Sequence, residues 1–542
     1  MKSFKLISIY IISLLFQVSY TLKANGWKSQ SIYQVLTDRI VIDGEPKCAT
    51  LKEYCGGTFN DLIQLLPHII DLGFTAIYIS PFIENTELGY HGYWAQNIYK
   101  VNSNFGTEQE LKRFIAKAHE QQILVMVDVV FNHVGYVPEG KVFDDIVPFN
   151  KDKHYHEQCE ISPQDFETNN IHAIENCRLF GLPDLNTESD EVKDLLFNWI
   201  RNDVVLKYGF DGIRIDTVRH VNKRFWQELN LVLSGTNTFA IGEVSSQSPS
   251  IVGDYQTQAG LDSVLDFPLY HKMNEVFAKR YPIASLQEQY MNQKNYFSDM
   301  SLLGVFVDCH DEARLFNKLS RFAADKEDLA LGLNALTYAF MSYGIPILYY
   351  GTEGRLNGGS DPLNREIYNP FKEGAVDQTM AKYIKVLNQV RSSHETYNYE
   401  PEFKQSGQDT LIFNKGPEVL VIVTNTENVH QTMFLQNHPF KQGDKLCNAF
   451  SDWDCVTVDE NKRIKITIIH GYPKIYILNN ELPPDQNRLN FYQGLFKNAM
   501  IVIFFIVMAN ILHFSGILNM ITGGNHIPFK HDHNHHNDHK RL

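Results

Sequence analysis

The stretch GFDGIRIDTVRH, residues 209 to 220, places an arginine and an aspartate in a run of β-branched residues. On an extended strand side chains alternate, so Ile213 and Ile215 face one way and Arg214 and Asp216 the other. Glu243 ends the run FAIGE, and Asp311 follows GVFVD in VDCHDEAR. Two opposed carboxylates are the chemistry of glycoside cleavage: one attacks or stabilises an oxocarbenium-like carbon while the other protonates the leaving oxygen. On that reading the carboxylate beside Arg214 has a lowered pKa and stays ionised, as a nucleophile must. Glu243, preceded by Ala240, Ile241 and Gly242, sits drier and keeps its proton. Any one of these carboxylates taken alone is better read as a structural ion pair capping the barrel; three at corresponding strand ends carry the inference.

The elements that must hold these groups follow from the pattern. Between residues 30 and 375, short β-rich runs alternate with longer helical patterns, which argues for an α/β domain with a parallel sheet. The strand candidates are SIYQVL (31–36), AIYIS (76–80), ILVMVDVV (123–130), GIRID (212–216), FAIGE (239–243), SVLDF (263–267), GVFVD (304–308) and IPILYY (345–350). Eight strands with intervening helices suit a (β/α)₈ TIM barrel, and no GxGxxG turn of a doubly wound nucleotide-binding sheet is present. In such a barrel, catalytic groups gather at the C-terminal ends of the strands.

The barrel reading covers residues 23–133 and 189–385. Residues 134–188, after the third strand, are rich in Pro, Asn, Asp and aromatics and too long for a simple connection, so they read as an inserted small domain. Residues 386–482 carry TLIFN, VLVIVTN, RIKITII and KIYIL between turn residues, the pattern of a C-terminal antiparallel β-sandwich.

Composition narrows the partners. A net charge of -14 over 542 residues disfavours a nucleic-acid ligand, since phosphate binding needs a positive surface. Lys2 and Lys5 precede an apolar run from Leu6 to about Val18, which reads as a secretory signal peptide over residues 1–22. Seven cysteines give three short-range candidate pairs, Cys48 with Cys55, Cys159 with Cys177 and Cys447 with Cys455, and leave Cys309 over. Ala499 to Ile521 is a mostly apolar 23-residue segment, interrupted by Asn510, His513 and Asn519, and reads as a single-pass membrane anchor followed by a polar His-rich tail over 522–542.

The chain resembles the α-amylase family of glycoside hydrolases, specifically the secreted calcium-dependent enzymes of fungal type. The matching segments are YHGYW (90–94), DVVFNH (128–133), LPDLNT (182–187), GIRIDTVRH (212–220), IGEV (241–244), HDEAR (310–314), GIPILYYG (344–351) and DPLNRE (361–366), in family order. The resemblance implies endo-hydrolysis of α-1,4-glucosidic bonds by a retaining mechanism, with Asp216 as nucleophile, Glu243 as acid and base, and Asp311 holding sugar hydroxyls. A retaining pair is expected to stand about 5 to 5.5 Å apart. It further implies that Arg214 orients and acidifies Asp216, that His91, His133 and His310 bond hydroxyls at the cleaved sugar, and that Tyr93 and Trp94 offer a stacking face. Arg365 and Asp361 pair near the same subsite, and Arg219 and His220 lie toward the leaving side. A Ca2+ ion is implied too, held by Asn132, Asp184 and the backbone carbonyls of Glu175 and His220, all hard oxygen donors.

The sequence departs from the family at Cys309, where asparagine is usual, and at VSSQ after Glu243, where a second calcium and a leaving-side contact fall into doubt. No arginine precedes GIPILYYG in the chloride-binding position of the animal enzymes, so no chloride activation is expected. The expected partner is an α-glucan acted on by a monomeric chain, extracellular or luminal and tethered through 499–521. Two other readings compete: an α-glucosidase or transglycosidase on the same fold, and a non-catalytic amylase-like scaffold of a membrane transporter. The pair Arg219–His220 favours the amylase over the first, and the complete carboxylate set opposes the second.

Overall fold

Eight parallel strands form one sheet: β1 (Ile32–Val35), β2 (Ala76–Ile79), β3 (Leu124–Val129), β4 (Gly212–Ile215), β5 (Phe239–Gly242), β6 (Ser263–Val264), β7 (Gly304–Phe306) and β8 (Ile345–Tyr349). In this computed structural model, which describes residues 26–137, 143–321, 325–426 and 430–478, the strand order is β6-β5-β4-β3-β2-β1-β8-β7. A parallel bridge between Leu265 and Gly304 joins β6 to β7 and closes the barrel. Each strand lies within one of the eight runs read from the sequence. The sixth is trimmed to two residues because Asp266 caps the helix Phe267–Met273, its side chain accepting from the Leu269 N–H.

Alternation sorts each strand between two cores. Ile32, Ala76, Met126, Phe239, Ile241, Ile345 and Ile347 fill the barrel interior with Trp27, whereas Tyr33, Ile77, Val125, Ile213 and Ile215 face the surrounding helices. A Cβ at Gly212 would lie 2.8 Å from the Trp27 ring, so only glycine lets that indole plug the barrel floor. Two residues further on, the interior turns polar at Gln34, Asp128 and Arg214, all buried. Two of the outer helices, Phe59–Asp71 and Glu108–Glu120, start with reciprocal capping boxes, Thr58 with Asp61 and Thr107 with Glu110.

Two excursions stand on the C-terminal rim. After β2 a hairpin, Ile83–Asn85 with Ala95–Val101, carries the YHGYW segment in its turn. After β3, short helices replace regular sheet, and antiparallel bridges pair His133 with Asp184 and Tyr155 with Leu185. Beyond the barrel, β9 (Pro401–Ser406), β10 (Thr410–Lys415), β11 (Val419–Thr424), β12 (Gln431–Leu435), β13 (Lys445–Asn448), β14 (Ser451–Thr457), β15 (Ile464–Ile468) and β16 (Lys474–Leu478) form two antiparallel sheets, β9-β10-β11-β16-β13-β14 and β12-β15. Ile412, Leu420, Ile422 and Tyr476 of the larger sheet pack with Ile464, Ile466 and Ile468 of the smaller. The alternate residues Leu411, Phe413, Val421 and Ile475 join the core shared with the barrel helices.

Disulfides join Cys48 to Cys55, Cys159 to Cys177 and Cys447 to Cys455, and Cys309 is free and buried. The signal segment 1–22, the apolar segment 499–521 and the His-rich tail lie outside the described residues. Among the described residues no helix is long and apolar enough to cross a membrane.

Candidate active site

Parallel pairing of β3 with β4 sets Asp128 directly beside Arg214. Arg214 Nη1 donates to Asp128 Oδ1 and Oδ2 at 3.0 and 2.9 Å and to Asp216 Oδ1 at 2.8 Å. Its Nη2 reaches Glu243 Oε1 at 3.1 Å. One guanidinium thus binds three carboxylates, each brought by a different strand end or strand interior. Thr217, the residue after Asp216, holds a left-handed backbone with φ 50°, an outlier for a β-branched side chain. That turn aims the Thr217 N–H at Glu243 Oε2, 2.9 Å away. Strain is therefore placed where it fixes the second carboxylate against the first.

This arrangement corrects two expectations. Asp216 is not acidified: burial, then the charge of Glu243, pushes its pKa well above the ordinary carboxylate value, and Arg214 only partly offsets them. Burial outweighs the arginine, whose charge is in addition divided among three acids rather than serving one. Glu243 is not set apart in apolar surroundings either, since it accepts from Arg214 and Thr217.

Around this floor opens a cleft of about 1340 Å³ lined by Asp216, Glu243, Asp311, His91, Tyr93, Trp94, His133, Arg219, His220, His310, Asp361 and Arg365, among others. Asp311 extends into it half-exposed, held by Arg365 Nη2 at 3.4 Å and His310 Nε2 at 3.2 Å. Arg365 also pairs with Asp361 at 3.1 Å and bonds the Tyr90 hydroxyl at 3.1 Å. Tyr93 donates to Asp128 Oδ2 at 2.6 Å and stacks on His310 at 5.2 Å. Trp94 meets His91 edge to face at 4.7 Å. Burial lowers His133 and His220 to about 4 and holds His91 and His310 well below the usual histidine value, so all four imidazoles are neutral near pH 7. Arg219 donates to Asn169 at 2.8 Å and lies 5.5 Å over the Phe166 ring. Cys309 lies behind the cleft beside Arg214 and Gln34, and burial pushes its thiol pKa up, so it remains a small neutral group there.

The residues read as metal ligands meet where the insertion rejoins the rim. Asn132 presents its amide 3.1 Å from Asp184 Oδ1 and 2.9 Å from the His220 carbonyl. With the amide oxygen inward, three oxygens from three segments converge with no hydrogen between them, which is the donor set a hard cation fits. With the amide turned over, the same contacts are N–H···O bonds. Glu175 lies on the helix Ile171–Asn176, whose Ile174 carbonyl bonds His220 Nδ1 at 3.1 Å. His156 bridges Asp184 at 2.6 Å and Glu188 at 2.7 Å.

Sequence reasoning missed Asp128, Tyr78 and Tyr90. Asp128 is 1% exposed and accepts from the Tyr78 hydroxyl at 2.6 Å as well as from Tyr93 and Arg214. Its signal was present: an acid inside ILVMVDVV, in phase with Met126, has to be answered by a buried cation.

A closed (β/α)₈ barrel whose rim brings paired acids to the floor of a large cleft defines a barrel glycoside hydrolase. Residues 25–395 match the family model described as alpha amylase, catalytic domain. An alpha-amylase 1 from Schwanniomyces occidentalis is 33% identical over 476 residues, spanning 84% of this chain and 90% of that protein. Among solved structures, an alpha-amylase from Malbranchea cinnamomea aligns with a TM-score of 0.76 at 31% identity, covering 84% of this chain and 98% of that one. The alpha-amylase of Geobacillus thermoleovorans complexed with acarbose aligns at 0.74 and 30%, covering 84% and 99%. The chain belongs to the α-amylase family of glycoside hydrolases.

Proposed function

We propose that the protein cleaves internal α-1,4-glucosidic bonds of starch- and glycogen-type glucans with retention of configuration, after entry into the secretory pathway. The observation that carries this reading is the Arg214 guanidinium gripping Asp216 and Glu243 at the floor of one cleft. At about 1340 Å³ that cleft exceeds the usual range for a single small ligand, which favours a chain threaded through it over a lone terminal sugar.

The Asp216 carboxylate attacks the anomeric carbon as the bond to the leaving sugar breaks, and Glu243 gives its proton to the departing oxygen. Glu243, now ionised, then takes a proton from water whose oxygen displaces Asp216. The shared guanidinium holds both acids through this exchange, so loss of negative charge at one is met by its gain at the other. Neutral His91, whose Nδ1 accepts from the Tyr93 N–H, offers its Nε2–H to a sugar hydroxyl without adding positive charge beside a cationic transition state, while His133 and His310 spend their single N–H on the Tyr93 carbonyl and hydroxyl and shape the wall. Asp311, braced by Arg365, binds hydroxyls from the opposite flank. Asn132, Asp184 and the carbonyls of His220 and Glu175 would hold calcium, which supplies a charge-neutralising tie between insertion and rim.

Early products from soluble starch test the reading. Mixed oligosaccharides of α configuration are expected, and Glu243→Gln should lower the rate by about 10² to 10⁴. Glucose as the sole early product would make the protein an exo-acting glucosidase, and undiminished activity in Glu243→Gln would remove the hydrolase mechanism altogether.

A further inference from the structure

Tyr90 is 4% exposed and stands behind the part of the cleft wall that His91 and Arg365 form. Its hydroxyl accepts from Arg365 Nη1 at 3.1 Å, and its ring meets the His91 imidazole edge to face at 5.0 Å. The Arg39 guanidinium lies over the ring itself, 3.8 Å from the centroid. One buried phenol touches two groups of the wall and carries a cation on its face.

A disulfide-closed loop holds that cation. Arg39 is fully buried; its Nη2 donates to the Leu51 carbonyl at 2.6 Å, and its Nη1 donates to the Glu53 carbonyl at 3.2 Å and to Cys55 Sγ. The Asp38 carboxylate stands 3.1 Å from Nη1 and accepts from the Cys55 N–H at 2.8 Å. The Cys48–Cys55 bond closes the loop that presents these acceptors. Acceptors around the edge of a planar guanidinium leave its face free, and that face lies on Tyr90. On the far side of the phenol, Arg365 Nη1 is shared between the Tyr90 hydroxyl and Asp361, each at 3.1 Å, while Nη2 reaches Asp311 at 3.4 Å. Both acids are about half in solvent. With the His310 carbonyl, which accepts from Arg365 Nε at 3.0 Å, the phenol hydroxyl is the buried anchor that keeps the guanidinium turned toward Asp311.

We propose that Tyr90, clamped by Arg39 from the Cys48–Cys55 loop, is a positioning residue for the reaction, acting through Arg365 on Asp311 and through ring contact on His91. This rests on the hydrolase reading for the reaction it serves. Without the hydroxyl, Arg365 Nη1 keeps Asp361 as its partner and the guanidinium swings toward solvent, away from Asp311. Misplacement of a binding group by about 1 Å is costly to turnover, up to about a hundredfold, because the transition state tolerates it less than the bound substrate does.

Tyr90→Phe removes one hydroxyl and keeps the ring under Arg39. On starch it is expected to lower kcat by about tenfold, to leave KM within about twofold, and not to lower the melting temperature. In an Arg365→Ala background the same substitution is expected to cost nothing further, since the residue through which it acts is gone. Arg39→Lys, which keeps the charge and loses the flat fork, is expected to lower kcat by about three- to tenfold, again with KM held. Wild-type kcat in Tyr90→Phe, or an equal loss with and without Arg365, overturns the positioning role. A lowered melting temperature with kcat intact assigns Tyr90 to packing and overturns it too. If the wild type hydrolyses starch and Tyr90→Phe is unimpaired, this role alone falls; a wild type inert on starch refutes the hydrolase reading and this role together.

Discussion

Arg214 is shared by three acids, and its fork is what makes the sharing work: two terminal nitrogens, fixed in one plane, reach Asp216 and Glu243 at once. A lysine offers a point charge and cannot span the pair, so Arg214→Lys is expected to fold and to lose about a hundredfold or more in kcat on starch. The raised pKa of Asp216 sets a second expectation. A nucleophile is lost as pH falls through its pKa, so the acid limb of kcat/KM on starch should lie above the ordinary carboxylate value of 3.8; a profile flat down to pH 4 would contradict the charge balance described. The same sign applies to stability. Above its raised pKa the folded state carries a charge it disfavours, so Asp216→Asn should abolish activity yet raise the melting temperature at pH 7. None of this was legible in GIRID alone. The strand's alternation showed that Arg214 and Asp216 share a face, but the other claims on the arginine come from Asp128 across a strand register and Glu243 on the next strand end.

The elements themselves were far more readable than their electrostatics. All eight barrel strands fall inside runs of Val, Ile, Tyr and Phe, because strands buried on both faces leave continuous apolar runs that helices with a polar face do not. What the pattern could not supply was register, and register is what set Asp128 beside Arg214. Nor could it supply backbone angles: the left-handed turn at Thr217, which aims its N–H at Glu243, leaves no trace in GIRIDT. The insertion after β3 gives the prediction that belongs at this scale. It returns to the rim through Asn132, Asp184 and His220, and its disulfide closes 18 residues of sequence separation. A chelator should therefore lower both the melting temperature and starch hydrolysis, with calcium restoring both, and Asp184→Ala should remove the response to chelator. Loss of the Cys159–Cys177 bond by paired serine substitution should destabilise the insertion by about 3 kcal/mol, seen as earlier proteolysis within 143–188, while β4 to β8 remain intact.

At the scale of the whole molecule the barrel and the β-sandwich are joined by buried polar groups as well as by apolar area. Asn334, in the helix Asp325–Met341, donates to the Gly471 carbonyl at 2.7 Å and accepts from the Thr424 N–H at 2.8 Å. Lys415, at the end of β10, buries its amine between the Ser342 carbonyl, 2.8 Å away, and that of Tyr399. Two carbonyl acceptors satisfy the two N–H groups of a neutral amine, and among the described residues no carboxylate bonds it. Burial, then the charge of Arg391, holds the Lys415 pKa well below its ordinary value of 10.5. In the unfolded chain that lysine binds a proton up to its ordinary value. Between the two pKa values the unfolded state therefore holds a proton the folded state lacks, and stability rises with pH until the ordinary value is reached. Lys415→Met removes this slope while filling the same space. The melting temperature of the wild type relative to Lys415→Met, measured at one scan rate, should consequently rise between pH 7 and pH 10. A constant difference across that range would mean that the amine is charged in the folded protein, and that the interface between barrel and sandwich tolerates a buried cation.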